Sequence, residues 1–423
     1  MASSVTPSRG MRDFLPADKA QRERVLGVIR NTFRSHGFDE IETPVMEDSD
    51  RLHAGLGGDN EKLAFAVMKR ALTTDDLRAA DQPLDLADLG LRFDLTVPLA
   101  RFYASHRGEL PTVFRSIQIG PVWRAERPQK GRYRQFVQCD IDIIGEAGPI
   151  AEVELITATV ATIDALGLDG CSIRINDRRL LTSALELLGF PPKEHEPVLV
   201  TIDKLDKIGH DGVITELRDR GFPAGPVDAL NEFFTRPVAT ELLPFGEAAI
   251  RKALPEGVDP VAVAELAAIG EAATEVVGRD VVEFDPWLVR GMGYYTGTIF
   301  EVAHPSVNYS LGGGGRYDGM IGRFLGSDVP AVGFSLGFER IVELVELESS
   351  EVADAVALIH DPTMSPAALL GLKAALVADG RRVRVERRPK NVKPLLDQLV
   401  AAGFGSYAFV DATTVTPEFK QLG

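Results

Sequence analysis

The densest chemistry in the sequence is a run of cations. Arg124, Arg127, Lys130, Arg132 and Arg134 place five cations within eleven residues, with Glu126 the one acid among them. Such a run repels itself unless it meets an anion, and the planar arginine fork suits phosphate oxygens. A solvated hairpin tip is the plainer reading. Directly after it the pattern alternates with period two. Val137, Cys139, Ile141 and Ile143 take one strand face, and Gln138, Asp140 and Asp142 the other. An amide and an acid on one face suit a small polar cation. Phosphate chemistry at one end and an ammonium at the other point to an aminoacyl-phosphate reaction.

A second basic cluster lies in the tail, where Arg381, Arg382, Arg384, Arg387, Arg388, Lys390 and Lys393 put seven cations in thirteen residues. In an otherwise acidic chain this favours an RNA backbone contact over a merely solvated face. Other signatures are missing or misleading. There is no G-x-x-x-x-G-K-[ST], no G-x-G-x-x-G in register, no H-E-x-x-H and no paired C-x-x-C. Gly333-Phe-Ser335-Leu-Gly337 matches a nucleophile elbow, but the one histidine after it is His360, at the end of a predicted tail strand.

Several elements must position these groups. Val25, Ile29 and Phe33 predict a helix from about Ala17 to His36, stopped by Gly37, with a strand over Phe38–Pro44. Residues 48–85 read as polar and irregular, with a loop at 55–59. From Leu91 the period is two, and Phe93, Leu95 and Val97 alternate with Arg92, Asp94 and Thr96, which predicts a strand. A helix follows over Pro149–Leu166, with Ile150, Val153, Val160 and Ile163 on its apolar face. Residues 171–280 read as an inserted helical block. Strands resume at Leu288–Ala303, turn at Leu311–Gly315 and resume at Ala331–Leu336 before a helix to Leu347. The tail has a βαβαβ rhythm with three strands, Val356–Ile359, Arg382–Glu386 and Tyr407–Val410.

Composition bounds the function class. The 423 residues exceed one ordinary core, and 45% hydrophobic with 26% charged residues is globular. Forty-six basic against sixty-two acidic residues give a net charge of −16, which opposes broad nucleic-acid binding but allows local basic surfaces. No apolar run approaches the ~18 residues of a membrane helix, and the first ten residues lack a secretory apolar core. Cys139 and Cys171 cannot form a disulfide framework or a four-cysteine zinc site. A soluble cytoplasmic protein without a membrane partner is the expectation.

These motifs together resemble the class II aminoacyl-tRNA synthetases, specifically the histidyl-tRNA synthetase family, from Gly10-Met-Arg-Asp-Phe-Leu-Pro16 into the tail. Ile41-Glu-Thr-Pro44 is similar to motif 1, Arg124-x-Glu126 through Phe136 to motif 2, and Gly333–Arg340 to motif 3. Leu288-Val-Arg290-Gly-Met-Gly-Tyr294-Tyr295-Thr-Gly and Tyr309–Asp318 resemble two signatures of the histidine-specific members. The resemblance implies an α+β fold: a class II synthetase antiparallel-sheet catalytic domain with a helical insertion, plus a small C-terminal α/β anticodon-binding-like domain. The implied boundaries are 1–170 (motifs 1 and 2), 171–280 (helical insertion, set against the tRNA acceptor stem), 281–348 (histidine signatures and motif 3) and 352–423.

It also implies that the chain activates L-histidine with ATP and transfers it to the 3′ end of tRNA(His). ATP would meet Arg124 at its α-phosphate, Glu126 at the adenine edge, Phe136 on the ring, Arg132, and Arg340 at the γ-phosphate. Arg340 would lie in the first turn of a helix, whose amides already favour anions. Histidine would meet Asp94, Thr96, Gln138, Asp142, Arg290, Tyr294 and Tyr295, with glycines 312–315 allowing close backbone approach. Arg290 and Arg124 would be the catalytic cations. Arg127, Gln129, Arg387, Arg388 and Lys390 would contact tRNA. Magnesium would accompany ATP with no zinc, and the protein would be a homodimer through motif 1. A paralogue, the non-catalytic histidine-sensing regulatory subunit of ATP phosphoribosyltransferase, shares the core. Arg124, Glu126, Phe136, Arg290, Arg340 and the basic tail favour the enzyme. The chain departs from the family at Gly293, where an aspartate is usual, and in its short tail.

Overall fold

The period-two segment after the arginine run becomes the middle of a large sheet. The computed structural model describes residues 5–53, 63–128, 131–235, 245–290, 293–347 and 355–422. By contact density the chain divides into Met1–Arg12 with Gly27–Val345, and Asp13–Leu26 with Glu346–Gly423.

The first unit contains strands β1 (Asp39–Ile41), β2 (Met46–Asp48), β3 (Phe65–Met68), β4 (Ala87–Leu91), β5 (Phe114–Trp123), β6 (Gln135–Ile144), β7 (Ser172–Asp177), β8 (Val282–Phe284), β9 (Thr298–Ala303), β10 (Gly312–Arg316) and β11 (Ala331–Gly337). Eight of them form one sheet in the order β1-β5-β6-β11-β10-β9-β7-β8. It is antiparallel from β5 to β7 and parallel at each edge pair.

Register sorts the two faces. Ile117, Ile141, Phe334, Gly314, Phe300 and Ile175 lie in one cross-strand row. Its apolar side chains are fully or almost fully buried. The helices Ile150–Ala165 and Pro260–Val277 pack together and cover this side. The next row along the strands belongs to the opposite face, because side chains alternate. It reads Gln118, Asp140, Ser335, Gly313, Glu301 and Arg174. One face is therefore a hydrocarbon core and the other a polar floor.

The glycine run expected as a turn is instead β10, at the heart of the sheet. Phe300 and Phe334 flank Gly314 in register, and their rings stack across it with centroids 5.6 Å apart and 12° between planes. A Cβ at Gly314 would stand 1.9 Å from the Gly333 carbonyl oxygen, which is backbone and cannot swing away. Gly314→Ala is therefore expected to destabilise the protein by about 1–3 kcal/mol, the usual cost of overpacking, or to prevent folding. Denaturant melting checks this; an unchanged midpoint would contradict the packing described.

Several other expectations change. The predicted strand through Arg92–Val97 ends earlier, at Leu91, and Thr96–His106 is a helix. Asp94 Oδ1 accepts the Val97 amide at 3.1 Å, so an aspartate that looked like one of an alternating set serves the helix's first turn. Residues 48–85 are more ordered than their polarity suggested. β2, β4 and β3 make a three-stranded sheet, and Thr73 caps a helix over Thr74–Ala79. The loop expected at 55–59 lies outside the described residues. The segment 171–280 opens with β7, a strand of the main sheet, before its helices begin at Arg178. Among the described residues of Leu288–Ala303, only Thr298–Ala303 is strand, and Asp318–Leu325 is a helix the pattern did not reveal. Ile150, assigned to an apolar face, is 59% exposed at the start of its helix.

The second unit holds β12 (Ala355–His360), β13 (Arg382–Arg387), β14 (Ser406–Val410) and β15 (Lys420–Gln421), in the order β13-β12-β14-β15. Three strands are parallel as expected, and β15 adds a fourth, antiparallel to β14. Leu369 and Leu376 of the helix Pro366–Ala378 pack with Val356, Leu358 and Val410. Leu399 of the helix Lys393–Ala401 packs with Ala357, Ile359 and Phe404, on the alternate residues of β12.

Candidate active site

The polar floor works because glycines leave room on it. A Cβ at Gly120 would lie 2.4 Å from Arg92 Nη2, at Gly313 2.6 Å from Arg290 Nη1, at Gly315 2.9 Å from Tyr295 Cδ1, and at Gly333 1.9 Å from Asp142 Oδ1. Four functional-type side chains thus lie across strands stripped of their own. At Gly313 and Gly315, within the run expected to allow close approach, the space that a side chain would fill is taken by Arg290 and Tyr295.

At one end of the floor are carboxyl groups. Asp142 and Asp94 are buried, and Asp142 Oδ1 accepts the Tyr317 hydroxyl at 2.6 Å. Burial pushes the Asp142 carboxyl up to about 7; the Tyr317 hydrogen bond opposes this and Asp94 adds to it. Asp140 is raised well above the ordinary carboxyl range, by burial first and by Asp142 next. Gln138 Nε2 donates to Ser335 Oγ at 2.9 Å. Ser335 lies within the regular strand β11, not on a sharp strand-to-helix turn, so the nucleophile-elbow match has no structural counterpart.

Tyr294 and Tyr295 are buried beside these acids, with ring centroids 4.7 Å apart. Tyr294 stands edge-on to Tyr317 at 6.1 Å and hydrogen-bonds Thr96. Its hydroxyl is raised far above the usual phenol range, chiefly by burial. Next to Tyr295 is Arg290, whose Nη1 donates to Glu301 Oε2 at 3.1 Å. Glu301 also pairs with Arg174, which reaches Asp285 at 3.1 Å. Burial pulls the Arg290 guanidinium down, but Tyr295, Glu301 and Asp203 outweigh it, so it stays firmly cationic.

The motif 2 residues come together on the β5–β6 hairpin. Arg124 Nε donates to the Phe93 carbonyl at 2.9 Å, and its guanidinium lies 5.2 Å from the Phe136 ring centroid. Arg132 pairs with Glu126 at 3.2 Å. Arg340 is the third residue of the helix Phe338–Leu344; its Nη1 donates to Ser310 O at 2.6 Å. Burial lowers the Arg340 guanidinium, and the positive charges of Arg132 and Arg290 lower it further. Arg127 is exposed, while Gln129 and Lys130 lie outside the described residues. Gly293, the departure from the family signature, places an added Cβ 3.2 Å from Glu196 Oε1, and Glu196 pairs with Arg178 at 2.5 Å.

In the second unit, Arg387, Arg388 and Lys390 are exposed at the end of β13 and just beyond it. No ion pair engages any of the seven tail cations among the described residues. Four of them instead stack on rings: Arg381 on Phe419, Arg382 and Arg384 on Phe404, and Arg388 on Phe409.

Four groups had not been singled out from the sequence, three of them buried and Glu301 half-buried. Arg92, which donates to Thr43 O and Pro121 O at 2.9 Å each, ties β4's exit to β5. Tyr317, Glu301 and Asp140 were the others. Asp140 was legible in the alternation of β6 and Tyr317 in the Gly-Arg-Tyr-Asp signature. Glu301 acquires its partners only through cross-strand register.

Known proteins of similar sequence and fold identify the family. A sequence model described as histidyl-tRNA synthetase matches residues 10–341. A protein named histidine–tRNA ligase from Leifsonia xyli subsp. xyli is 60% identical over 418 residues, covering 98% of this chain and 97% of its own. One named probable histidine–tRNA ligase from Tropheryma whipplei is 42% identical over 416 residues, covering 96% of each. Two solved structures share the fold. They are titled histidyl-tRNA synthetase from Nostoc sp. PCC 7120 (TM-score 0.77, 24% identity, 100% of this chain and 95% of that one) and ATP phosphoribosyltransferase regulatory subunit/histidyl-tRNA synthetase from Bacillus halodurans C (TM-score 0.76, 20% identity, 98% and 100%).

Proposed function

The chain belongs to the histidyl-tRNA synthetase family, and from that premise we propose how its floor performs the chemistry. It activates L-histidine with ATP and joins it to tRNA(His), rather than sensing histidine as a regulatory subunit. Use of ATP and magnesium follows from the family, with magnesium arriving on the nucleotide's phosphates.

One observation carries the residue assignment: the floor has a carboxyl end and a cationic end. Asp142 and Asp94 lie at the first, and Arg290, Arg340 and Arg132, which repel one another, at the second. Cations crowded together in this way suit a triphosphate, and buried acids suit an ammonium. Asp94, Thr96, Gln138 and Asp142 take the backbone end of histidine, and Tyr294 and Tyr295 enclose its imidazole. Arg124 and Arg290 grip the α-phosphate. The histidine carboxylate oxygen attacks α-phosphorus, the bond to the β-phosphate oxygen breaks, and pyrophosphate leaves with the electron pair. Phe136 stacks on adenine, Glu126 meets its edge, and Arg132 and Arg340 hold the outer phosphates. The 3′-terminal adenosine of tRNA then displaces AMP. Arg127 and Gln129 contact that RNA, as do Arg387, Arg388 and Lys390 of the tail unit.

The test is ATP–pyrophosphate exchange with each of the standard amino acids. Exchange with histidine alone is expected; histidine binding without exchange would favour the regulatory reading. We also expect a cytoplasmic homodimer using the Ile41–Pro44 segment. No described helix is long and apolar enough to cross a membrane.

The Asp142 carboxyl sets a pH dependence. Raised to about 7, it is protonated on the acid side of that value and cannot attract an ammonium there. The KM for histidine is therefore expected to rise about tenfold from pH 8 to pH 6, while the KM for ATP changes little. The imidazole of free histidine titrates in the same window. Asp142→Asn separates the two: affinity is already weak at pH 8 in this variant and its slope flattens. A variant that keeps the wild-type slope would assign the effect to the substrate.

A further inference from the structure

One polar group at the centre of the floor has no role in the reading above. Asp140 stands between Gln118 and Ser335 in the cross-strand row, with Gln138 and Asp142 two residues away on the same face. It is 4% exposed, and its Oδ1 has no hydrogen-bond partner. The Gln138 Oε1 beside it has none either. Gln138 Nε2 donates to Ser335 Oγ, and Ser335 hydrogen-bonds Asp140, so the hydroxyl links the two side chains while one acceptor oxygen of each stays open. Buried acceptors are rarely left without donors unless a ligand supplies them. Asp142 and Asp94 crowd Asp140 with negative charge, which a cation would relieve, and Arg124 and Arg92 supply the opposing charge.

Register also sets a distance. Asp140 and Gly313 lie in one row with Ser335 between them, and Arg290 occupies the space over Gly313. Two strand spacings are about 10 Å. That matches the reach of an amino acid bound by its ammonium at Asp140 and by its carboxylate beneath Arg290, with a hydrogen bond at each end.

We propose that Asp140 is a further histidine-binding residue, which together with Gln138 accepts the substrate's α-ammonium and so turns its carboxylate toward Arg290. This rests on the histidine-activating reading. It adds a third carboxyl to the ammonium pocket and makes Ser335 the group that orients it. Ser335 is a positioning residue in this scheme and does not touch the substrate.

Calorimetric titration of the full chain tests it with four ligands. Histidine and histidinol carry the amine, 3-(imidazol-4-yl)propionate carries the carboxylate but no amine, and ATP serves as a control. Asp140→Asn is expected to weaken histidine and histidinol by about 10- to 100-fold, the range for a buried charge-assisted hydrogen bond. Binding of imidazolylpropionate and ATP should hold. Asparagine keeps the shape and the Ser335 contact, so the ligand-free melting temperature should not fall. Ser335→Ala should show the same ligand pattern at smaller amplitude and guards against a folding defect in the first variant. Equal losses for all ligands, or a fall in kcat with histidine affinity intact, would make Asp140 a support for Arg124 and overturn the proposal. If the wild type binds no histidine, the functional reading fails and this inference with it. If the wild type binds histidine and Asp140→Asn binds it equally well, this inference alone fails.

Discussion

Arg290→Ala is expected to lower histidine-dependent pyrophosphate exchange at least about 100-fold, mostly in kcat, by analogy with loss of a single oxyanion donor. The reaction joins a carboxylate to a phosphate, two anions, and further charge builds on the α-phosphate oxygens as the bond forms. A fixed guanidinium meets that charge without reorganising. Its setting keeps it in place: Glu301 takes one nitrogen at 3.1 Å, and Arg174 holds Glu301 from the far side. Gly313 leaves the space the guanidinium occupies. Arg290→Lys should recover little, since one ammonium cannot both hold Glu301 and face a phosphate. Glu301→Gln should cost less, roughly tenfold, because the cation remains but loses its anchor. Single-turnover adenylate formation in folded variants checks the ranking. An Arg290→Ala enzyme within a few-fold of wild type would remove Arg290 from the chemistry.

The parts of the candidate site that sit on local patterns were legible in the sequence. The hairpin that carries Arg124 to Phe136 and the alternation of Gln138, Asp140 and Asp142 depend only on neighbours in sequence. Most of what failed depends on distant strands. Four successive glycines look like a turn, since glycine is poor at holding a strand by itself. Here Phe300 and Phe334 stack over Gly314 from the adjoining strands, and that packing makes the run a strand. Arg92–Val97 failed in the opposite sense. Its polar–apolar alternation mimicked a strand, but Asp94 accepts a helix amide, and a capping carboxylate outweighs a short periodicity. The pairing of Glu301 with both Arg290 and Arg174 is a matter of register, which a single sequence does not reveal.

Replacing Arg387, Arg388 and Lys390 together with alanine is expected to raise the KM for tRNA about 10- to 100-fold near physiological salt while leaving pyrophosphate exchange as it was. The size follows from counterion release, in which each phosphate contact on a single strand contributes about 0.7 to the salt slope. Losing all three should flatten that slope by about two. The separation of effects follows from place: these side chains belong to the second unit, and the proposed adenylation floor belongs to the eight-stranded sheet of the first. Their chemistry is also distinct from that of a solvated face. Among the described residues no ion pair engages the tail cations, and four hold their guanidinium groups over Phe404, Phe409 and Phe419. A guanidinium held on a ring loses less freedom on meeting a phosphate or a splayed base, and both surfaces are what single-stranded RNA presents. Arg388 rests on Phe409, so its removal uncovers apolar surface, and the melting temperature must be followed beside the kinetics. Arg387 and Lys390 rest on no ring, so the double variant gives the electrostatic effect by itself. If aminoacylation in that double variant keeps its wild-type KM and salt slope, the tail's charge does not meet tRNA, and recognition falls to other residues, Arg127 first among them.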